Sequence, residues 1–479
     1  MSWFLAQEDE IHSDENRINE FVNNSFIAKL YLRASGFIQS KIKKYVPNAQ
    51  KYNTYLDNIY FIIFAVLMFS IPFSGTNMLG FFAGCLIFIS LISSVISHKK
   101  FAFSAIHVPI IVYLAILTIS VFFSSLFLPS LKGLGKMLLY IGAYFSFFEF
   151  LKQNPKRILP VIGVVAISAS VELLFSLKQM IFGVNELAGW QDRTGVNPEN
   201  MMQRVFGTLK PFNPNLFAGY LLAVIPCIFI RSSISLLNKY KQSGITLCAF
   251  GLLGLITLVQ TGCRGAYIGL FGGFLLLLIL LFITMNSVDK KIHLPKKQIW
   301  LILCALAVIG VLAVALSPSL SHRLTSIFTF RGDSSNSYRM NVYISSAKMF
   351  MDNFWIGIGP GNATYRLIYG LYMVTGYDAL GAYNIYLEMG VESGIFAITT
   401  FLWTIILAFG KGISKIKEIS AKSNIENKII LIGCLVGIFA MLMHGIVDTV
   451  WYRPQLQLIF WLYLAIISAM TMRNFADEK

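Results

Sequence analysis

The 479-residue chain is 56% hydrophobic and only 13% charged, with a mean hydropathy of +0.67. Water-soluble domains carry roughly 25% charged residues, so this composition excludes a soluble globular chain, and with it collagen, coiled coil, intrinsic disorder and a disulfide scaffold. The formal charge of +16 would suit a nucleic acid, but the basic residues fall where membrane topology puts them, and no nucleic-acid partner is expected. The reading is an all-α integral membrane protein.

The tail, residues 1–56, is polar and acidic near its start, so no cleavable signal peptide is read there. Within it Ile18, Phe21, Val22, Phe26 and Leu30 share one helical face, which predicts a helix lying along the membrane surface. The remainder, 57–479, reads as one polytopic domain in contact with membrane lipids. A span needs ~20 apolar residues, and twelve windows qualify: 57–74, 76–97, 103–128, 131–150, 158–182, 212–231, 244–260, 263–285, 298–316, 380–409, 427–448 and 455–473. All six cysteines (Cys85, Cys227, Cys248, Cys263, Cys304, Cys434) fall in or beside these runs without a CxxC pair. They read as small buried hydrophobes.

With both termini cytoplasmic, every inner loop is basic: Lys99 and Lys100; Lys152, Lys156 and Arg157; Arg231, Lys239 and Lys241; Lys290 to Lys297; and Lys411 to Lys428. That is the positive-inside pattern of a cytoplasmic membrane protein. Two outer segments are long, about 183–211 and 317–379, and the second has the amphipathic stretches of a small helical cap.

Against this bias stand eight arginines assigned to the outer side: Arg193, Arg204, Arg264, Arg323, Arg331, Arg339, Arg366 and Arg453. A guanidinium offers a planar fork of donors to phosphate or carboxylate oxygens. The set therefore points to an anion held at the outer surface, or else to salt bridges with Asp192, Glu199, Asp333, Asp352 and Asp378. Arg264 opens the eighth span in Thr261-Gly262-Cys263-Arg264-Gly265-Ala266, where free N–H groups and the helix dipole favour an anion. Asn213-Pro214-Asn215 opens the sixth span from the same side. There asparagine reads as N-cap and proline as first helical residue, with Arg204 just ahead.

In the cap, Arg331 and Arg339 flank an Asp-Ser-Ser-Asn stretch before a helix over 340–351. Ile356-Gly357-Ile358-Gly359-Pro360-Gly361-Asn362 lacks the flanking strand of a dinucleotide loop and reads as a tight turn returning the chain to the membrane. Asn384, Glu388 and Glu392 recur every four residues on one face of the tenth span. Their carboxylates are open to acid–base work, to an acceptor, or to pairing with the arginines. His444 and Asp448 stand one helical turn apart at the end of the eleventh span, with Arg453 in the next loop. A carboxylate beside an imidazole suits a general base, and equally a structural hydrogen bond; His322 is a second outward histidine.

From about residue 57 onward the chain resembles the O-antigen ligase and polymerase superfamily. The likeness rests on twelve spans, the Arg-Gly-Ala helix start, the large loop between the ninth and tenth spans, the Gly-Ile-Gly-Pro-Gly-Asn turn, and Asn384-Ile385-Tyr386-Leu387-Glu388 with Glu392-Ser393-Gly394. Within the superfamily it is most similar to a cyanobacterial inorganic-carbon-accumulation branch, through Thr76-Asn77-Met78-Leu79-Gly80, Asp333-Ser334-Ser335-Asn336, Ala382-Tyr383, and His444 to Pro454. The resemblance implies a metal- and cofactor-independent glycosyltransferase that moves a glycan from undecaprenyl diphosphate to a lipid or glycan acceptor at the outer face. It puts Arg264 and Arg339 on the diphosphate. The family's base is a histidine where this chain has Tyr383, a poor base at an ordinary pKa of ~10. Either His444 or a glutamate takes over, or leaving-group stabilisation carries the reaction. The alternatives are transport of bicarbonate or another small anion, and an accessory role in carbon uptake or an envelope complex.

Overall fold

The computed structural model describes residues 49–97, 102–184, 204–287, 334–419 and 425–473, with scattered residues between 19 and 41. Among them there is no strand. Thirteen α-helices follow in chain order: α1 (Ala49–Ser70), α2 (Thr76–Ser97), α3 (His107–Phe123), α4 (Phe127–Gln153), α5 (Ile158–Phe182), α6 (Pro214–Leu237), α7 (Lys241–Gln260), α8 (Arg264–Ser287), α9 (Ser334–Asp352), α10 (Asn362–Tyr369), α11 (Ile385–Glu418), α12 (Ile425–His444) and α13 (Pro454–Thr471). The protein is an all-α integral membrane protein, with ten helices among the described residues long and apolar enough to span a bilayer. Eleven of the twelve predicted windows coincide with a helix. The third, α3, has only 17 residues, because Ser124 turns the chain into α4. The ninth window, His322, Arg193, Arg323, Arg331, Cys304 and most of the surface helix predicted in the tail lie outside the described residues.

The centre of the bundle is α13, of which 94% of the apolar window is buried. It packs against α4, α6, α11 and α12, and its aromatic residues Phe460, Trp461 and Tyr463 are all fully enclosed. By contrast α1, α2, α7 and α8 leave most of their surface outward, as lipid-facing helices do.

Glycines set how closely the site helices approach. On α8, Gly265, Gly269 and Gly272 face α12, where a β-carbon would meet the side chain of His444, the carbonyl of Ala440 and Met443. Small residues at such a seam let two membrane helices approach backbone to backbone. That closeness puts the α8 start beside the α12 end.

The helix α11 is not continuous. Ser393 and Gly394 leave helical geometry, Gly394 with φ 75°, and the turn at 356–361 fills the break. Ile358 N–H donates to Val391 O and Gly359 N–H to Glu392 O, both at 2.9 Å, while Ile395 N–H reaches Phe354 O at 2.9 Å. The glycine-rich stretch is thus the tight turn expected from sequence. This spanning helix is interrupted there because a loop supplies the hydrogen bonds that the helix gives up.

Candidate functional site

Two helices begin at one end of the bundle with well-made caps. Asn213 Oδ1 accepts the N–H of Asn215 (2.8 Å) and Leu216 (3.4 Å), and Pro214 occupies the first turn of α6. Asn384 does the same for α11, accepting from Tyr386 (2.9 Å) and Leu387 (3.0 Å). Both caps are therefore structural. They leave the neighbouring Asn215 and Tyr383 to face the site.

Arg204 is placed by its loop. Glu172 of α5, fully buried, accepts from the Thr208 N–H (2.6 Å) and hydroxyl (2.5 Å). Gln179 accepts from Phe206 and Gly207 N–H (3.2 and 2.9 Å) and donates to Gly207 O (3.0 Å). So pinned, Arg204 donates from Nε to Thr261 O (2.7 Å) and from Nη2 to Asn215 Oδ1 (2.6 Å). Glu172, a buried charge within α5, thus holds a loop.

Asn215 continues the chain of contacts, donating through Nδ2 to Asp448 Oδ2 at 3.0 Å. The same oxygen lies 3.6 Å from Arg339 Nη2, and the carboxylate is almost wholly buried. Three residues before Arg339 on α9, Asn336 Oδ1 accepts from Arg264 Nη1 at 2.9 Å. Asp448 is thus paired with Arg339 and linked through Asn215 to Arg204, while Arg264 is joined through Asn336 to the helix that carries Arg339. Guanidinium groups gathered at two helix N-termini are an anion-binding arrangement.

Tyr383 closes this ring. Its backbone is left-handed (φ 52°), its carbonyl accepts from Tyr343 OH at 3.1 Å, and the Arg339 guanidinium lies 5.6 Å from its ring centre. Burial, then the nearby Tyr338 and Asp448, push its hydroxyl up to about 12, against the opposing pull of Arg339. A hydroxyl raised in this way stays protonated at neutral pH.

His444 and Asp448 are brought together, their ligand atoms within 4.8 Å of each other, but not by the helical turn expected: α12 ends at His444 itself and the chain turns at 445–447. The imidazole is boxed by Gly219, Gly265 and Gly269, and its Nε2 faces Cys263 Sγ at 3.6 Å. Asp448 instead accepts from Val450 N–H (3.2 Å) and from the residues above. Cys263, expected to be an inert buried hydrophobe, is a hydrogen-bonding partner. Cys263, His444 and Asp448 place three possible ligand atoms within 4.8 Å of one another. A metal ion fits poorly there, because the Asp448 oxygens are committed and Arg204 and Arg339 bring positive charge to the same place.

Glu388 and Glu392 are also corrected. Among the described residues neither meets an arginine. Glu388, wholly buried, accepts from Ala382 N–H (2.8 Å) and Asn362 Nδ2 (3.2 Å); Glu392 accepts from Gly361 N–H. They staple the turns around the α11 break. Arg366 pairs with exposed Asp378 at 3.1 Å, and Arg453 is exposed, its charge acting on Tyr140 of α4. Asn336, Thr261 and Asn362 lie inside strings read from the sequence but are not singled out there as site residues; their side chains or carbonyls carry the ring and the staple.

Residues 249–402 match the O-antigen ligase family, a stretch holding Arg264, Arg339, Tyr383, Asn384 and Glu388 but not Arg204, Asn215, His444 or Asp448. The chain is also similar to the teichuronic acid biosynthesis protein TuaE of Bacillus subtilis (strain 168), 26% identical over 203 residues, which cover 40% of this chain and 38% of the relative. The chain therefore matches well under two thirds of that relative's length. Over these residues the likeness to the O-antigen ligase superfamily read from the sequence is supported.

Proposed function

We propose that the protein is a membrane glycosyltransferase. It moves a glycan from undecaprenyl diphosphate to a lipid or glycan acceptor at the outer face of the cytoplasmic membrane, with both termini inside. The observation that carries this reading is the gathering of Arg204, Arg264 and Arg339 near the starts of α6 and α8, linked through Asn215, Asn336 and Asp448. A diphosphate departing from an anomeric carbon develops charge where such donors stand ready, and preorganised donors lower that barrier.

In this scheme the acceptor hydroxyl attacks the anomeric carbon, the bond from that carbon to the diphosphate oxygen breaks, and the electron pair leaves with the diphosphate. Arg264 and Arg339 hold the diphosphate. Arg204, with two donors already given to Thr261 and Asn215, keeps Asn215 and Asp448 in place. Asp448 orients Arg339. His444, enclosed and turned to Cys263, supports the α8–α12 seam. With Tyr383 held neutral, leaving-group stabilisation does most of the catalysis, and the acceptor proton passes to water.

The positive-inside distribution of lysines supports the outer placement, and the match to a teichuronic acid biosynthesis protein supports an envelope polysaccharide as product. Transport of bicarbonate, the reading favoured by the likeness to the carbon-accumulation branch, would place anion-binding groups at a broken helix near mid-membrane. Here the described break holds carboxylates, and the arginines stand elsewhere. The test supplies purified protein in lipid with an undecaprenyl diphosphate glycan and acceptors. Release of undecaprenyl diphosphate with glycan transfer is expected. Absence of release, together with bicarbonate uptake into proteoliposomes, would reverse the assignment.

A further inference from the structure

The segment joining the ninth window to α11 ends in a face that is apolar on its outside. On α10 and the turn after it, Thr364, Tyr365 and Tyr369 are buried, while Leu367 (60% exposed), Leu371 (84%) and Val374 face away from the protein, with Leu380 further on. A helix over water shows the opposite order, charged side outward. The only charged residues of this stretch, Arg366 and Asp378, pair with each other.

The level of this face relative to the bundle follows from its contacts. Thr364 Oγ1 lies 3.1 Å from Ser130 Oγ, and Gly361 packs on Gly133 and Pro129, all in the first two turns of α4. Beside those turns stand Phe122, Phe123, Phe127, Leu128 and Leu131, exposed apolar residues at the ends of two spanning helices. Just before the glycine turn, Trp355 (63% exposed) lies against lipid-facing Phe396 of α11, ring centres 5.8 Å apart.

Length gives a second constraint. The part of α11 after the break, residues 395–418, is about 36 Å long, enough by itself to cross a hydrocarbon core of about 30 Å. Lys411, Lys415 and Lys417 fix its other end at the opposite surface. The two turns before the Ser393–Gly394 break therefore project beyond the core, and the break, with Trp355 beside it, sits at the membrane boundary. Tryptophan is enriched at that level.

We infer that the outer face of α10 and its following turn, together with Trp355, is inserted among the lipids at the bilayer interface, so that the segment is moored to the membrane by Leu367, Leu371, Val374 and Trp355. The lipid is assigned because this face is continuous with the lipid-facing ends of α3, α4 and α11 at one level. The inference is independent of the proposed transferase activity.

The full chain in nanodiscs of phosphatidylethanolamine and phosphatidylglycerol tests this, with an environment-sensitive fluorescent amino acid introduced at position 371 or 352. At 371 we expect blue-shifted emission, quenched more by a nitroxide on the upper acyl chain than by aqueous iodide. At 352, where Asp352 is exposed, the order should reverse. A probe at 371 quenched mainly by iodide would mean a water-facing surface and overturn the inference. So would protection from both quenchers, which would mean that a second copy or another protein covers the face. In the unlabelled protein, Trp355→Phe should remove part of the intrinsic emission that brominated acyl chains quench; an unchanged quenchable fraction would also overturn it.

Discussion

Two buried polar groups of this protein invite comparison: the arginine ring at 204, 264, 339 and 448, and the carboxylate staple at 388 and 392. Both lie at the same end of the helical bundle, and both draw residues from three or more segments. In the staple the acids are met by donors of the fold itself, Ala382 N–H, Asn362 and Gly361 N–H, and the result is a fixed turn. In the ring Arg204 is held by Thr261 O and Asn215, Arg264 by Asn336 and Arg339 by Asp448, and the three guanidiniums gather at helix starts. Acids met by backbone donors build architecture; guanidiniums gathered at helix N-termini point to a ligand.

That contrast is sharpest in what each group should lose on mutation. Arg264→Ala and Arg339→Ala should each lower the rate of undecaprenyl diphosphate release by about 10²–10³, the loss seen when one preorganised donor to a departing charge is removed. Thermal unfolding in detergent should barely move. Normal turnover in both variants would remove the ring from the active site.

For the staple the order reverses. Gly394→Ala forces a β-carbon against the Trp355 carbonyl at a φ of 75°, costing about 3 kcal/mol or more, read as a lower unfolding temperature and loss of monodisperse protein. Glu388→Ala leaves a buried N–H at Ala382 and the Asn362 amide without their acceptor, costing about 1–3 kcal/mol. Turnover per folded molecule should stay within a few-fold of the parent. A Glu388→Ala protein of normal stability but no activity would place this carboxylate in the chemistry and collapse the distinction.

The fold was largely legible in the sequence because membrane spans are set by run length and loop charge, both local properties. Helix starts were legible for the same reason: Asn213-Pro214 and Asn384 carry their caps in their own side chains. The pairing of side chains was not. Periodicity placed Glu388 and Glu392 on one face but could not show that a loop 30 residues earlier turns into the helix at Gly394 and supplies their donors. Likewise the four-residue spacing of His444 and Asp448 implied a helical turn only if the helix continued, and it ends at His444. The partners Asn336 and Thr261 belong to tertiary contacts that no spacing encodes. Arg264 and Arg339 were legible as types, cations on the wrong side of the charge bias, before their common neighbourhood was known.

Tyr383 stands between the two groups, its loop held by Glu388 through Ala382 and its ring beside Arg339, and it should give the smallest effect of all. With its hydroxyl pushed up to about 12, a phenolate acting as base would be scarce at neutral pH. The rate would then climb about tenfold per pH unit and keep climbing past pH 10. A neutral tyrosine that only lines the site gives a rate independent of this group across pH 6–9. Tyr383→Phe should then keep turnover within about threefold of the parent, the size expected for loss of one neutral hydrogen bond. Its pH–rate profile should superimpose on the parent's. A steep alkaline rise in the parent, abolished in Tyr383→Phe, would show that the tyrosine took over the histidine's task and that the acceptor proton does not simply pass to water.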